Sequence, residues 1–409
     1  LVIRRQLKQM EAAIASSEKI KKSKESLDRS GYFSEVDIAT NAVPGTDDQI
    51  DVDLTVQERA SGNFTASIGY SQTDNIILNF GLSQDNFLGS GNRVGVDVTK
   101  SSSKKEIRLD YLNPFYTVDG VSRGFDVFLR NEDFEENSSS KYKIDDYGVG
   151  VTFGYPVNEY QRLSVRFGAE KIEIRPNTTT STEVSNYIAD NGSKFTNTNA
   201  TFSWSENRMN RGVFPTRGRR QSASMEVSIP GSDLSYYRLS YDGSWIRPLN
   251  DKERWLVGAR GNFGYAEKLG SKDYPFFKNY FAGGIGSMRG VSANSLGARD
   301  SLQDPIGGNV VISGGADLIF PMIGVSDVKK YRTSLFLDFG GVYSTNCLTG
   351  TSDSSCNSGV NLGDLKYSTG LGFTWLTPLG PLTFSYAKLL NKKTGDNPKA
   401  FDFTLGGTF

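Results

Sequence analysis

Sixteen segments of this chain alternate apolar and polar residues with a period of two. This pattern constrains the fold more than any other feature, because it gives every segment one apolar and one polar face as a β-strand. The segments are 64–70, 76–82, 94–98, 107–111, 125–129, 149–155, 163–167, 202–204, 225–229, 237–245, 255–265, 312–320, 335–339, 371–375, 382–386 and 401–409. Tyr367 to Ala387 is uncharged and long enough for a membrane helix, but Pro378, Gly380 and Pro381 interrupt it, so a strand-turn-strand hairpin is predicted there.

Charged residues occupy the polar faces of these strands. A soluble sandwich would bury the apolar faces, whereas a membrane barrel would turn them to lipid and enclose the charges in its lumen. The even strand count and the alternation of short and long connections favour a sixteen-stranded antiparallel up-and-down transmembrane β-barrel over the sandwich. Short turns such as 156–159 and 377–380 would then be periplasmic. Long connections would be extracellular: 134–143, 175–195, 267–308 and 345–363.

The composition agrees with a barrel and excludes several kinds of site. Aromatic residues reach 12%, there are 44 glycines, and the mean hydropathy is −0.41, which is polar for a helical membrane protein. The 46 basic and 46 acidic residues cancel, so no net charge argues for nucleic acid. The chain has no histidine, which removes Ser-His-Asp catalysis and histidine metal sites. We therefore expect no enzyme and no cofactor.

The only two cysteines, Cys347 and Cys356, lie in a polar stretch rich in Thr, Ser, Gly and Asn. They fit no metal or redox spacing, so a disulfide in a surface loop of an oxidising compartment is predicted.

Residues 1–60 differ from the rest and form a small α+β module in front of the barrel, which occupies 61–409. A second helix would begin at Ser16 or Ser17 and end at Gly31, followed by strands at 33–38 and 50–56. Because Leu1 falls inside the first helix, the natural N-terminus and the first strand of the module are expected to lie upstream. That first helix is predicted from apolar residues at helical spacing: Ile3, Leu7, Met10 and Ile14.

The connection between the eleventh and twelfth strands contains the sequence Met288-Arg289-Gly290-Val291. It resembles the V-R-G-F/Y loop motif of the POTRA-barrel insertase superfamily of the outer membrane; the Arg and Gly match, and Met288 and Val291 depart. The resemblance covers essentially the whole chain and includes these further segments: Gly31-Tyr32-Phe33 with Val36, 214–216, 229–233, 380–387 and the terminal Phe409. It implies that residues 1–60 are part of the last POTRA domain.

The resemblance also implies partners for the motif arginine. The loop 267–308 would fold back into the lumen, and Arg289 would pair with Asp317 and Asp338 on the next two strands. Alternation supports this independently, because both aspartates fall between outward-facing apolar residues. A guanidinium can bind two carboxylates through its planar set of donors.

The seam between the first and last strands is the second implied site. Phe401, Phe403, Leu405, Gly407 and Phe409 share one face, and adjacent glycines weaken the last strand. The resemblance implies a lateral gate, where a client strand pairs with the open edge. The seam residues are Phe64, Thr65, Ala66, Ser67, Ile68, Gly69, Tyr70, Phe401, Phe403, Leu405, Gly406, Gly407 and Phe409.

The expected function is assembly and insertion of β-barrel proteins into the bacterial outer membrane, with the POTRA segment in the periplasm. The expected partners are client outer-membrane barrels, lipoprotein subunits of an assembly complex and the lipid bilayer, with no nucleic acid. The alternative is a two-partner-type secretion pore or passive channel of the same superfamily. An enzyme is a distant third reading, since no nucleophile stands beside a base.

Overall fold

The computed structural model describes residues 2–30, 32–71, 73–117, 119–135, 140–322, 330–345, 347–348, 356 and 359–406. Gly31, Gly407 and Phe409, which the sequence analysis singled out, lie outside the described residues.

The N-terminal module consists of α1 (Val2–Gln6), α2 (Ser17–Ser30), β1 (Phe33–Ala42) and β2 (Ile50–Glu58). β1 and β2 pair as an antiparallel two-stranded sheet. Leu27 of α2 and Val36 of β1 are its buried apolar residues, so α2 packs on the sheet.

The first helix is shorter than predicted, because α1 ends at Gln6 and leaves Met10 and Ile14 exposed. Ser23 accepts hydrogen bonds from the backbone N–H groups of Lys8 and Gln9. The Gln9 side chain bonds to backbone groups between residues 10 and 16. These side-chain bonds replace the helical ladder, which is a competition that hydrophobic spacing alone does not reveal.

The expected sixteen-stranded antiparallel barrel is confirmed: sixteen strands form one closed barrel in which chain neighbours pair and the last strand returns to the first. Two further short strands, Ala298–Arg299 and Pro305–Gly307, pair with each other inside the long connection between the eleventh and twelfth barrel strands, and the helix α3 (Thr182–Asn191) follows the seventh. The strands are β3 (Gly62–Ser71), β4 (Asn75–Gln84), β5 (Arg93–Lys100), β6 (Lys104–Asn113), β7 (Ser122–Asp133), β8 (Tyr142–Pro156), β9 (Gln161–Pro176), β10 (Lys194–Asn207), β11 (Gly218–Ser228), β12 (Tyr236–Pro248), β13 (Leu256–Lys268), β14 (Ala298–Arg299), β15 (Pro305–Gly307), β16 (Val310–Phe320), β17 (Tyr331–Tyr343), β18 (Lys366–Thr377), β19 (Gly380–Leu389) and β20 (Phe401–Leu405).

The barrel is apolar outside and polar inside. Phe80, Val149 and Leu337 are among the many large apolar side chains exposed on the outer face. Charged side chains face inward and pair across strands, as Arg166 does with Asp126 at 2.8 Å. The membrane-spanning strands therefore turn their apolar faces outward and their polar faces inward, which is the inverse of the arrangement in a soluble protein. Among the helices that the structure describes, none is long and apolar enough to cross a bilayer.

We call the barrel edge next to the N-terminal module the proximal rim, and the opposite edge the distal end. Inside the distal end, inward-facing strand residues pack with residues of the β13–β16 connection in one apolar cluster. It includes Tyr142, Ile174, Tyr236, Phe276 and Ile306. This cluster covers the barrel interior from the distal side.

Candidate functional site

The β13–β16 connection, called the lumen loop here, carries the predicted motif into the barrel. Met288 and Val291 are buried, and Gly284 pairs with Met288 as an isolated bridge that makes a tight turn. Gly290 has a φ of 92°, and a Cβ there would lie 3.1 Å from the Cβ atoms of Ser368 and Ala387. Glycine is needed at 290 both for its left-handed backbone and for this close approach.

The structure places Arg289 against both predicted aspartates. Its Nε and Nη2 donate to Asp338 at 2.7 Å each, and its Nη1 donates to Asp317 at 3.0 Å. Its backbone N–H also donates to Asp338, at 3.0 Å. The guanidinium carbon lies 3.5 Å from the ring centroid of Phe336. Asp338 is fully buried, so these charge-assisted bonds form away from bulk water.

A second arginine, which the sequence analysis did not assign to this site, also binds Asp338. Arg260 on β13 donates to Asp338 at 2.8 Å across the intervening strand β16. Gly315 lies between them in register, opposite Arg260 on one side and Asp338 on the other. A Cβ at Gly315 would overlap a carboxylate oxygen of Asp338. The sequence feature that could have indicated this contact is a glycine that lies between an arginine and an aspartate on neighbouring strands. It can be recognised only once the strand register is known.

A further ion pair fixes the lumen loop nearer the distal end. Lys278 donates to Glu170 on β9 at 2.9 Å, and Asn197 on β10 donates to the same carboxylate at 2.8 Å. Burial lowers the pKa of Lys278, but the charges of Glu170, Glu226 and Asp146, together with the hydrogen bond to Glu170, outweigh burial and raise that pKa above its usual value. The lumen loop is thus held by charged contacts at two levels.

The lumen loop is also bonded to the segment that leads into the last strand. Lys399 donates its backbone N–H to Gly290, and Ser292 donates its backbone N–H to Asn397 at 2.9 Å. Ser368 on β18 donates to the backbone carbonyl of Arg289 at 2.5 Å. The motif therefore contacts the connection that positions Phe401, the first residue of β20.

At the seam, the described residues of β20 and β3 share one register pair, Leu405 with Tyr70. Thr404 donates its hydroxyl to the Tyr70 carbonyl at 3.0 Å, and the Phe403 and Tyr70 rings stack at 4.9 Å. Among the described residues the last strand covers Phe401–Leu405, and the predicted Gly407 and Phe409 lie outside them. Gly406 follows with a φ of 71°, a backbone conformation that favours glycine, and donates its N–H to the Pro381 carbonyl on β19.

The structure joins Cys347 and Cys356, whose Cα atoms are 5.8 Å apart. Leu348 and Cys356 pack against the distal apolar cluster. Within the described part of the chain, no group of three His, Cys, Asp or Glu side chains is placed to hold a metal ion.

Comparison with known proteins agrees with the geometry. A family model described as Omp85 superfamily domain matches residues 86–409, and the POTRA model, described as surface antigen variable number repeat, matches residues 2–59. The expected membership of the POTRA-barrel insertase superfamily is confirmed.

Several relatives carry the name outer membrane protein assembly factor BamA. The protein from Neisseria meningitidis serogroup B is 33% identical across 100% of this chain and 54% of its own length. The protein from Nitratidesulfovibrio vulgaris is 22% identical across 100% of this chain and 49% of its own length. This chain thus spans about half the length of the curated relatives it matches.

Solved structures extend the similarity. BamA from Haemophilus ducreyi lacking POTRA domains 1–3 superposes with a TM-score of 0.91 at 31% identity, covering 100% of this chain and 81% of that one. CdiB from Acinetobacter baumannii gives a TM-score of 0.58 at 13% identity, covering 98% of this chain and 71% of that one. The latter likeness shows a shared fold alone.

Proposed function

The chain belongs to the Omp85 superfamily and its barrel lies in the outer membrane, and from this we propose that it inserts β-barrel proteins there through the β3–β20 seam. The single observation that carries the proposal is the weakness of this seam. Its described residues form one register pair, whereas every other neighbouring pair of barrel strands forms at least five. The names of the relatives support assembly of outer-membrane proteins as the activity.

The mechanism needs no covalent chemistry. Opening the seam would expose unpaired N–H and C=O groups to lipid, where each costs several kcal/mol. A client strand that pairs with the free edge of β3 would satisfy those groups by β-augmentation. The open state would therefore persist only while a client occupies it, and release would follow when the client barrel closes on itself.

The lumen loop would hold the last strand during this cycle. Arg289 is fixed by Asp317 and Asp338, and the residues beside it bond to 397 and 399, just before β20. A rigid lumen loop would keep β20 in place while β3 separates from it and pairs with a client strand. The Arg289 cluster thus serves the proposed gate by positioning and not by touching the client.

We propose that the N-terminal module lies in the periplasm, where it would bind lipoprotein subunits of an assembly complex and deliver clients. The short apolar span at the seam would thin the bilayer locally and lower the barrier to insertion. The alternative is a secretion pore or passive channel of the same superfamily. A lumen occupied by a loop held at Lys278 and Arg289 argues against a permanently open channel, whereas conductance gated by a plug would mark the secretion pore.

The proposal is tested by locking the seam in the full-length protein. Ser71→Cys with Thr404→Cys would place thiols on adjacent strand ends next to the Tyr70–Leu405 pair. The disulfide should abolish client insertion and growth, and reduction should restore both. The matched control carries Ser203→Cys and Ser224→Cys and leaves Thr404 unchanged. These two positions are a registered, lumen-facing pair in β10 and β11. Normal porin insertion by the oxidised seam variant would overturn the gate and favour the pore.

A further inference from the structure

A carboxylate on the lipid-facing side of the proximal rim is completely enclosed by donors. Glu206 follows Phe202 and Trp204 at alternate positions of β10, so it shares their outward face. Its side chain is only 1% exposed. Four side chains donate to it: Arg208 at 2.6 Å, Arg219 at 2.7 Å, Gln161 at 3.2 Å and Gln221 at 3.4 Å. We call these five residues the rim clamp.

The rim clamp lies at the boundary between apolar and polar rows of the outer wall. Two residues toward the distal end, Leu163, Trp204 and Tyr241 form an apolar row across neighbouring strands. Two residues correspond to about 7 Å along a strand. Aromatic side chains mark the same level, since Tyr160 and Trp245 are more than 40% exposed. Such aromatic belts mark the depth of lipid headgroups.

The charge at this level is positive. Arg208 and Arg219 together exceed the charge of Glu206 by one. Arg247 shares the outward face of Trp245 on β12 and is exposed, and among the described residues it has no acid within ion-pair distance. Arg208 contacts Glu206 through Nε and lies 4.8 Å from the Tyr160 ring centroid. Among the described contacts, its two terminal amino groups have no protein acceptor.

We propose that the rim clamp and Arg247 bind the phosphate headgroup of a phospholipid in the proximal leaflet. Glu206 orients the two guanidinium groups, Arg208 and Arg247 supply free donors, and Trp245 packs beside the glycerol region. A planar guanidinium suits phosphate oxygens, and its weak hydration suits this depth. The site lies on the wall opposite the seam and does not depend on the proposed gate.

Tryptophan fluorescence provides the test, because Trp245 pairs in register with Arg219. The protein, carrying Trp375→Phe to remove the tryptophan on β18, is reconstituted in phosphatidylcholine nanodiscs. Phosphatidylglycerol with brominated acyl chains is compared with brominated phosphatidylcholine at equal mole fraction. We expect stronger quenching by the anionic lipid, and about fivefold weaker affinity for each arginine removed in Arg208→Gln, Arg219→Gln and Arg247→Gln.

Two variants separate binding from structure. Glu206→Gln keeps all three arginines and should retain or strengthen the preference for phosphatidylglycerol. Arg247→Gln removes a cation without touching the clamp, so its effect is independent of folding at Glu206. Arg93→Gln is the control for loss of a proximal cation away from lipid, because Arg93 falls on the lumen face of β5 and pairs with Asp85 at 3.8 Å, and it should change nothing.

Equal quenching by the two lipids in the unsubstituted background would overturn the proposal. So would a loss in Glu206→Gln as large as in Arg219→Gln, or an equal loss in Arg93→Gln. Suppression of the quenching by millimolar inorganic phosphate would assign the site to a soluble anion and would also overturn it.

Discussion

The seam and the wall opposite to it are built from the same kind of strand but are held together in different ways. β10 and β11 share nine register pairs, and the rim clamp adds charged contacts at their proximal end. β20 and β3 share one pair among the described residues. In the described part of the chain the difference comes from strand length, because β20 has five residues and Gly406 follows it with a positive φ. The seam is therefore the barrel interface with the fewest register pairs among the described residues.

The comparison predicts a large difference in local opening. Every second backbone amide of β3 points toward β20. Those amides within Gly62–Ile68 should exchange with deuterium far faster than the backbone amides of β11. The described residues of the seam have eight fewer register pairs than β10 and β11, which at about 0.5 kcal/mol for each hydrogen bond gives an opening free energy lower by roughly 4 kcal/mol. Hydrogen exchange measured by mass spectrometry tests this, and equal protection at the two interfaces would contradict the proposed weak seam.

The lumen loop should matter more for the seam side than for the opposite wall. Asp338→Asn removes the buried carboxylate shared by Arg289 and Arg260, and should lower the free energy of unfolding by about 3–5 kcal/mol. Hydrogen exchange in β20 should increase, while exchange in β10 and β11 should not. Asp317→Asn is the control and should cost less, because Asp317 is 19% exposed and, among the described residues, forms an ion pair with one arginine, Arg289. Urea unfolding that gives equal losses for both variants would disprove this ranking.

The disulfide should stabilise the distal end and leave the seam unchanged. Replacing Cys347 and Cys356 with serine opens a short ring and should lower stability by about 2–3 kcal/mol. Thermal unfolding followed by heat-modifiable gel mobility measures the loss. Hydrogen exchange of the seam amides should equal that of the parent protein. Faster exchange there in the serine variant would show that the distal end and the seam are coupled.

Gly315 provides the smallest and sharpest test of the lumen geometry. Gly315→Ala forces a methyl group against Asp338 and should cost about 1–3 kcal/mol through overpacking. Gly261 on neighbouring β13 is the matched control, since a Cβ there meets no described heavy atom within 4 Å. Equal unfolding midpoints for the two alanine variants would mean that Arg260 does not need Gly315 to reach Asp338.

Much of the barrel could be read from the chain because a strand displays its two faces locally. All sixteen predicted segments correspond to barrel strands, and the hairpin around Pro378 lies at Lys366–Thr377 and Gly380–Leu389. The helix predicted through Ile14 was wrong because the Ser23 and Gln9 side chains accept hydrogen bonds from backbone N–H groups there and compete with the helix, and hydrophobic spacing does not report them. The last strand was predicted over 401–409; the structure shows it over Phe401–Leu405, and the predicted Gly407 and Phe409 lie outside the described residues.

The sequence by itself determined which residues face lipid and which face the lumen, because the period of two is a property of neighbouring residues. It also placed Asp317 and Asp338 inside, although only family resemblance paired them with Arg289. The tertiary structure decided what depends on register between distant strands: Arg260 reaching over Gly315, the rim clamp around Glu206, and the single pair at the seam. Register is set by barrel closure, in which every strand fixes the position of the next, so no local stretch of sequence contains it.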